Sequence, residues 1–188
     1  VLQMLAVTLL VVWATPRQIF SFGTMTAILW IECSIIVLCE AQTVRALSAG
    51  YLLAALPLLR NWSPEGERAP WALVQWSLIA SSLLVILGCA ALGTSPVVAG
   101  GLVLLGVLVR EGIFPFHSWM PVFARSAPLP LVIVGVGMHS GALFLLRFAQ
   151  LEPGVPSGWL LTAACVLASW TVVYGAVVAL SQSHLRAC

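Results

Sequence analysis

The chain is predicted to be an all-α, polytopic transmembrane helical bundle, on three observations. Of its 188 residues, 61% are hydrophobic and 7% are charged. The mean hydropathy is +1.08. The apolar residues fall into runs separated by short polar breaks. Soluble domains carry about 25% charged residues, so a water-exposed globule is excluded. A disordered or collagen-like chain is excluded too, because the 15 Gly and 11 Pro follow no repeat. At about 20 apolar residues per span, this length has room for about seven spans.

The runs place helices near 1–14, 19–39, 43–59, 71–92, 97–114, 129–149 and 159–181, within a single transmembrane domain. Each break has a cause. Thr15-Pro16-Arg17-Gln18 combines a helix breaker with polar groups, and residues 60–68 form the most polar stretch of the chain. Thr94-Ser95-Pro96 reads as a tight turn. Pro115, Pro121, Pro128 and Pro130 interrupt the stretch after Arg110, and residues 152–158 close the last loop. Trp62, Trp71, Trp119 and Trp159 lie near span ends, where amphipathic rings settle at the membrane surface. The chain begins inside an apolar run at Val1 and stops at Cys188 directly after a helix, so it reads as an internal piece of a longer protein.

All eight basic residues are Arg and all six acids are Glu. No basic cluster exists to grip phosphates, which excludes nucleic acid as a partner. Arg17, Arg60, Arg68, Arg125 and Arg186 fall on one side of the expected spans, Arg45 and Arg147 on the other. The excess marks the first side as cytoplasmic. The five cysteines form no CxxC pair and read as small buried hydrophobes, so neither a metal nor a disulfide framework is expected. Asp is absent, which removes a Ser-His-Asp arrangement. Nothing resembles a haem, flavin or iron–sulfur site, so no cofactor is expected and any chemistry is movement of a proton or cation.

A charged side chain at mid-membrane costs about 2.5–3.5 kcal/mol, which singles out four residues for such a path: Glu32, Glu40, Arg110 and His139. Glu32, deep in the second span, reads either as a proton-relay or ion-binding acid or as a neutral Glu bonded to a neighbouring helix. Glu40, at the junction of the second and third spans, is either an ion-pathway acid or an ordinary interfacial partner of Arg45. Arg110 and Glu111 precede Pro115, which has no N–H for the Glu111 carbonyl. A helix broken there frees carbonyls that need partners in protein or in a water-lined cavity, as in transporters; the alternative is a plain helix end with a snorkelling Arg. His139 lies near the centre of the sixth span, beside Gly137 and Gly141, whose spacing lets another helix approach. Its imidazole either exchanges a proton near neutral pH or is a satisfied core residue.

The run from Arg110 through Pro115, His117 and Pro121, then Ala127-Pro128-Leu129-Pro130, then His139 to Arg147, resembles the antiporter-like membrane subunits of respiratory complex I and of Mrp-type cation/proton antiporters. The stretch Ala179–Ala187 is similar to a later motif of that family, and Leu47–Leu53 and Ser77–Gly93 to its fifth and sixth helices. The resemblance implies that the seven spans are helices three to nine of a fourteen-helix fold with two inverted repeats. It further implies that Pro115, His117 and Pro121 belong to a broken helix. It implies an ion-translocating (proton or sodium) subunit, partnered by other membrane subunits and the lipid bilayer, in a bacterial inner membrane, with no redox centre on this chain.

The departures matter equally. The family's seventh-helix Lys is Arg110 here, which cannot be deprotonated and so can attract but not relay. The position of its fifth-helix Glu falls near Val44, with Glu40 one turn away as a substitute; its eighth-helix Lys or His is His139; its later Lys is Arg186; and its Asp after Trp-Leu-Pro is Val122. This thinning leaves an alternative: a non-pumping membrane anchor of the same fold for a soluble partner, such as a cytoplasmic zinc protein in an inorganic-carbon uptake complex.

Overall fold

The computed structural model describes residues 21–60, 62, 68–137, 140–155 and 157–181. Among these residues the chain is helical: α1 (Phe22–Glu40), α2 (Val44–Leu59), α3 (Arg68–Ala91), α4 (Pro96–Arg110), α5 (Trp119–Ser126), α6 (Leu129–Gly137), α7 (Ser140–Leu151) and α8 (Ser157–Ser181). The expected first span, 1–14, lies outside the described residues. Four stretches are long and apolar enough to cross a membrane: Phe22–Glu40, Trp71–Ala91, Leu129–Leu151 and Gly158–Val177. Helices α2 and α4 are apolar but shorter.

Helix starts follow from local chemistry. Ser21, Thr43 and Ser95 each accept the backbone N–H three residues on, capping α1, α2 and α4. Pro96 opens α4 where its missing N–H costs nothing. Pro121 falls in the first turn of the eight-residue α5, again where no intrahelical donor is lost.

The end of α4 differs from the expectation. The span expected over 97–114 stops at Arg110, and Pro115 is not what stops it. Glu111 is the C-cap and Gly112 follows with φ of 61°, in the left-handed region. The Gly112 N–H donates to the Val109 carbonyl and the Ile113 N–H to the Leu108 carbonyl. That pairing is a Schellman motif, which needs a residue free of a Cβ penalty at Gly112. Pro115 comes after the helix has already closed.

Helix α1 packs along α2 and α3 along α4, while α7 lies against α1, α2 and α4. Two apolar clusters result. One gathers Ile28, Ile31, Trp71, Leu78, Trp119 and Phe123; the other gathers Leu47, Tyr51, Val103, Val107, Phe144 and Phe148. Two of the tryptophans expected at the membrane surface are in this interior instead. Trp71 and Trp119 are buried, each with its ring against Phe123, because the short α5 folds back over the start of α3. The cysteines depart from expectation as well: Cys33 and Cys165 are exposed and Cys39 and Cys89 only half-buried. Cys33 and Cys165 sit on outward faces of apolar helices that also present Leu29, Leu83, Val166 and Trp170, a surface suited to lipid, while Cys39 and Cys89 pack against the apolar clusters.

Pro57 sits inside α2 and has no N–H to give the Leu53 carbonyl. The indole Nε1 of Trp30, on α1, donates to that carbonyl at 2.8 Å. Replacing Trp30 with Phe keeps the ring and deletes this donor. It should lower unfolding free energy in detergent by about 1–3 kcal/mol, read from thermal melts against Trp30→Phe combined with Pro57→Ala, which restores the carbonyl's own partner.

Candidate functional site

Helix α4 is short. Its 15 residues rise about 22 Å, less than the roughly 30 Å of a hydrocarbon core. A helix of this length that enters from a membrane surface ends inside the apolar layer, and the last residue of α4 is Arg110. Arg110 is buried at 6% exposure. Its Nε donates to Ser140 Oγ at 3.2 Å and its Nη1 to the Tyr51 carbonyl at 3.2 Å. The guanidinium carbon also lies 4.5 Å from the centroid of the Tyr51 ring, a cation–π contact that suits a desolvated cation.

The polar chain continues past Tyr51. Its hydroxyl lies 2.9 Å from Ser81 Oγ, and Ser81 donates to the Gly106 carbonyl at 2.7 Å. Three elements, α2, α3 and α4, therefore share one buried string of hydrogen bonds. Glu111, next to Arg110, extends it to α7: its Oε1 accepts from the Gly141 N–H at 2.7 Å. A Cβ on Gly141 would come within 2.6 Å of the same oxygen, so the close approach expected of this glycine is made to a carboxylate.

The connection from α4 to α5 is equally tied down. Trp119 Nε1 donates to the Val109 carbonyl at 2.8 Å, and the Phe114 N–H donates to Thr171 Oγ1 of α8 at 3.0 Å. Phe114, His117 and Tyr174 cluster their rings, with centroids 4.9–5.7 Å apart. His117 is half-buried within this cluster, Pro115 lies exposed in the turn and Pro121 exposed on α5.

The remaining expected residues are spread out. Glu32 is buried at mid-helix in α1, at 5% exposure, while Glu40 is exposed at the last residue of α1. Eight residues of helix, about 12 Å, separate them. Glu111, adjacent in the chain, acts electrostatically on Arg110. His139 lies outside the described residues, between α6 and Ser140. Arg147, at the far end of α7, donates Nη2 to the Ala41 carbonyl at 2.7 Å and so holds the α1–α2 corner.

The transmembrane family described as NADH:quinone oxidoreductase/Mrp antiporter matches residues 77–188, more than half the chain. The chain belongs to this family. It is 29% identical over 147 residues to an NADH-quinone oxidoreductase subunit N of Ectopseudomonas mendocina, covering 77% of this chain and 27% of that protein. It is 36% identical over 93 residues to an NAD(P)H-quinone oxidoreductase subunit 2 of Thermosynechococcus vestitus, covering 48% and 18%. It is 33% identical over 92 residues to a probable inorganic carbon transporter subunit DabB2 of Halothiobacillus neapolitanus, covering 47% and 16%. The chain thus spans about a quarter or less of the length of these relatives. No solved structure matches it significantly. As a member of the NADH:quinone oxidoreductase/Mrp antiporter family, it is an antiporter-like integral membrane chain with a transmembrane helical fold.

Tyr51, Ser81, Glu111 and Ser140 went unmarked as site residues in the sequence. Tyr51 and Ser81 sit 30 residues apart in separate apolar helices, and neither position carries a charge to draw notice. Glu111 did carry a signal, a second charge beside Arg110 in an otherwise apolar run. Removing the Tyr51 hydroxyl with Tyr51→Phe leaves Ser81 bonded to Gly106 and should cost about 0.5–1.5 kcal/mol. Gly112→Ala forces a Cβ onto a left-handed residue and should cost about 1–2 kcal/mol. Thermal melts of both variants check the order.

Proposed function

We propose that this chain is part of an ion-translocating subunit of a complex related to NADH:quinone oxidoreductase or Mrp-type antiporters, moving a proton or sodium ion past the interruption after α4. Other membrane subunits are its partners, and a bacterial inner membrane is its location. The observation that carries the reading is the guanidinium of Arg110, buried at a helix end that α4 is too short to bring out of the apolar layer. Arg110 supplies a fixed positive charge that never leaves. His139, one residue before the Ser140 that holds Arg110, is the relay, because an imidazole can gain and lose a proton near neutral pH. Glu32 or Glu40 is the acidic partner, and the burial of Glu32 favours it.

A second reading has two observations in its favour. The similarity to the probable inorganic carbon transporter subunit covers nearly half the chain, and the chain contains no Lys. In that reading the fold is a non-pumping anchor for a soluble partner. The full-length protein, purified with the subunits it associates with and reconstituted in vesicles, separates the two. Under the transport reading wild type carries proton or sodium flux, His139→Ala and Arg110→Gln abolish it, and Arg110→Lys restores it with a new pH dependence, since an ammonium can release its proton. Wild-type vesicles without flux, or flux unchanged in His139→Ala and Arg110→Gln, would reject the assignment.

A further inference from the structure

We infer that the cavity where α2 begins and α3 and α7 end holds the headgroup of a phosphatidylethanolamine from the surrounding membrane. This is a lipid site, and it does not depend on ion movement.

Its position comes first. The cavity, of about 380–570 Å³ scale at the upper figure of 570 Å³, is lined by Thr43, Arg45 and Ser48 of the α2 start, Cys89 near the end of α3 and Glu152 directly after α7. Its size falls within the roughly 300–1,000 Å³ of small-molecule sites. All of these residues sit at helix ends, and the ends of membrane-crossing helices are where lipid headgroups lie. Along α3 the outward face leading to Cys89 is apolar, with Leu83, Ile86 and Leu87 exposed. Acyl chains attached to a headgroup in the cavity have that face to lie along.

The charges come second. One cation and one acid line the cavity without meeting. Arg45 is exposed and Glu152 half-buried, and among the described residues neither side chain makes a hydrogen bond or an ion pair. Glu152 acts electrostatically on Cys89, which places it near the α3 wall. The neighbouring Arg147 is committed elsewhere, to the Ala41 carbonyl and the Gln150 side chain. A ligand that satisfies both free charges carries an anion and a cation in one small group. Phosphate suits Arg45, whose planar fork donates two parallel N–H bonds to phosphate oxygens, and an ammonium suits Glu152.

The hydroxyls decide which ammonium. Thr43 Oγ1 accepts the Ala46 N–H at 3.2 Å, which leaves its O–H to donate to a phosphate oxygen. Ser48 donates to the Arg45 carbonyl at 3.0 Å, which leaves its lone pairs to accept an ammonium N–H. No lining residue is aromatic. A choline headgroup has no N–H to give and is recognised by aromatic faces, so the primary ammonium of ethanolamine fits where choline does not. Phosphatidylglycerol lacks the cation and leaves Glu152 facing a second negative charge.

The test uses the full-length protein in its complex, in detergent micelles containing equal amounts of phosphatidylethanolamine, phosphatidylglycerol and phosphatidylcholine. Native mass spectrometry reads the lipid retained. Wild type should prefer phosphatidylethanolamine to the other two by at least about tenfold, the ratio expected of one charge-assisted hydrogen bond. Glu152→Gln should bring phosphatidylethanolamine and phosphatidylglycerol to equal retention, and Arg45→Gln should lower both by about tenfold. Neither side chain bonds to the rest of the fold, so both variants should melt like wild type in lipid-free detergent. A phosphatidylethanolamine carrying a photoreactive group near its headgroup should label residues 43–48 or 89–92 in wild type and not in the double variant. Soluble glycerophosphoethanolamine, the same headgroup without acyl chains, should not displace the lipid at equal concentration. The proposal is overturned if wild type keeps the three lipids equally, if the preference survives in both variants, or if the soluble headgroup displaces the lipid. It is overturned as well if the photoreactive lipid labels other subunits and leaves these residues unlabelled, as when a partner chain covers the cavity.

Discussion

Arg110 keeps a positive charge at the buried end of α4, and Ser140 and the Tyr51 carbonyl and ring hold it there. On the mildest scale an intramembrane charge costs about 2.5–3.5 kcal/mol. That cost orders its surroundings: α2 contributes a ring face and a carbonyl, α7 a hydroxyl, and the neighbouring residue a carboxylate. Tyr51 occupies its place because its own hydroxyl is bonded to Ser81, so α3 supports the cation without touching it. Three helices meet at the guanidinium, and a fourth supports it through Tyr51.

Irregular backbone at membrane depth needs partners for each freed polar group. The bundle supplies them from side chains of other elements. Gly112 turns the backbone of α4 onto its own carbonyls, Trp119 takes the Val109 carbonyl, and Thr171 takes the Phe114 N–H. The same logic operates at a distance from the site, where Trp30 serves the carbonyl that Pro57 leaves open. Indole and hydroxyl groups that look like incidental polar residues in apolar helices are the acceptors and donors that let the chain bend there.

Hydropathy made the apolar spans legible, since about 20 consecutive apolar residues have little other use. The price of burying charge made Arg110 and Glu32 legible for the same reason. What stayed hidden depends on long-range contact. The partnership of Tyr51 with Ser81 and Arg110 joins residues 30 and 59 positions apart, and no local pattern encodes it. The helix stop was misplaced because proline draws attention as a breaker, whereas the terminator is a glycine three residues earlier that works through its φ angle. Trp71 and Trp119 were set at the membrane surface by their position near span ends, yet the fold of α5 over α3 encloses them.

A charge buried inside a bundle of helices long and apolar enough to cross a membrane is also exposed to any transmembrane voltage. Carrying one elementary charge across the full membrane at 100 mV exchanges about 2.3 kcal/mol, and Arg110 experiences its share at every pH. The electric force on it is handed through its hydrogen bonds to the Tyr51 backbone and the Ser140 hydroxyl. An energised membrane therefore pulls on α2 and α7 through the side chain of α4, and the mechanical load falls on Tyr51 and Ser140.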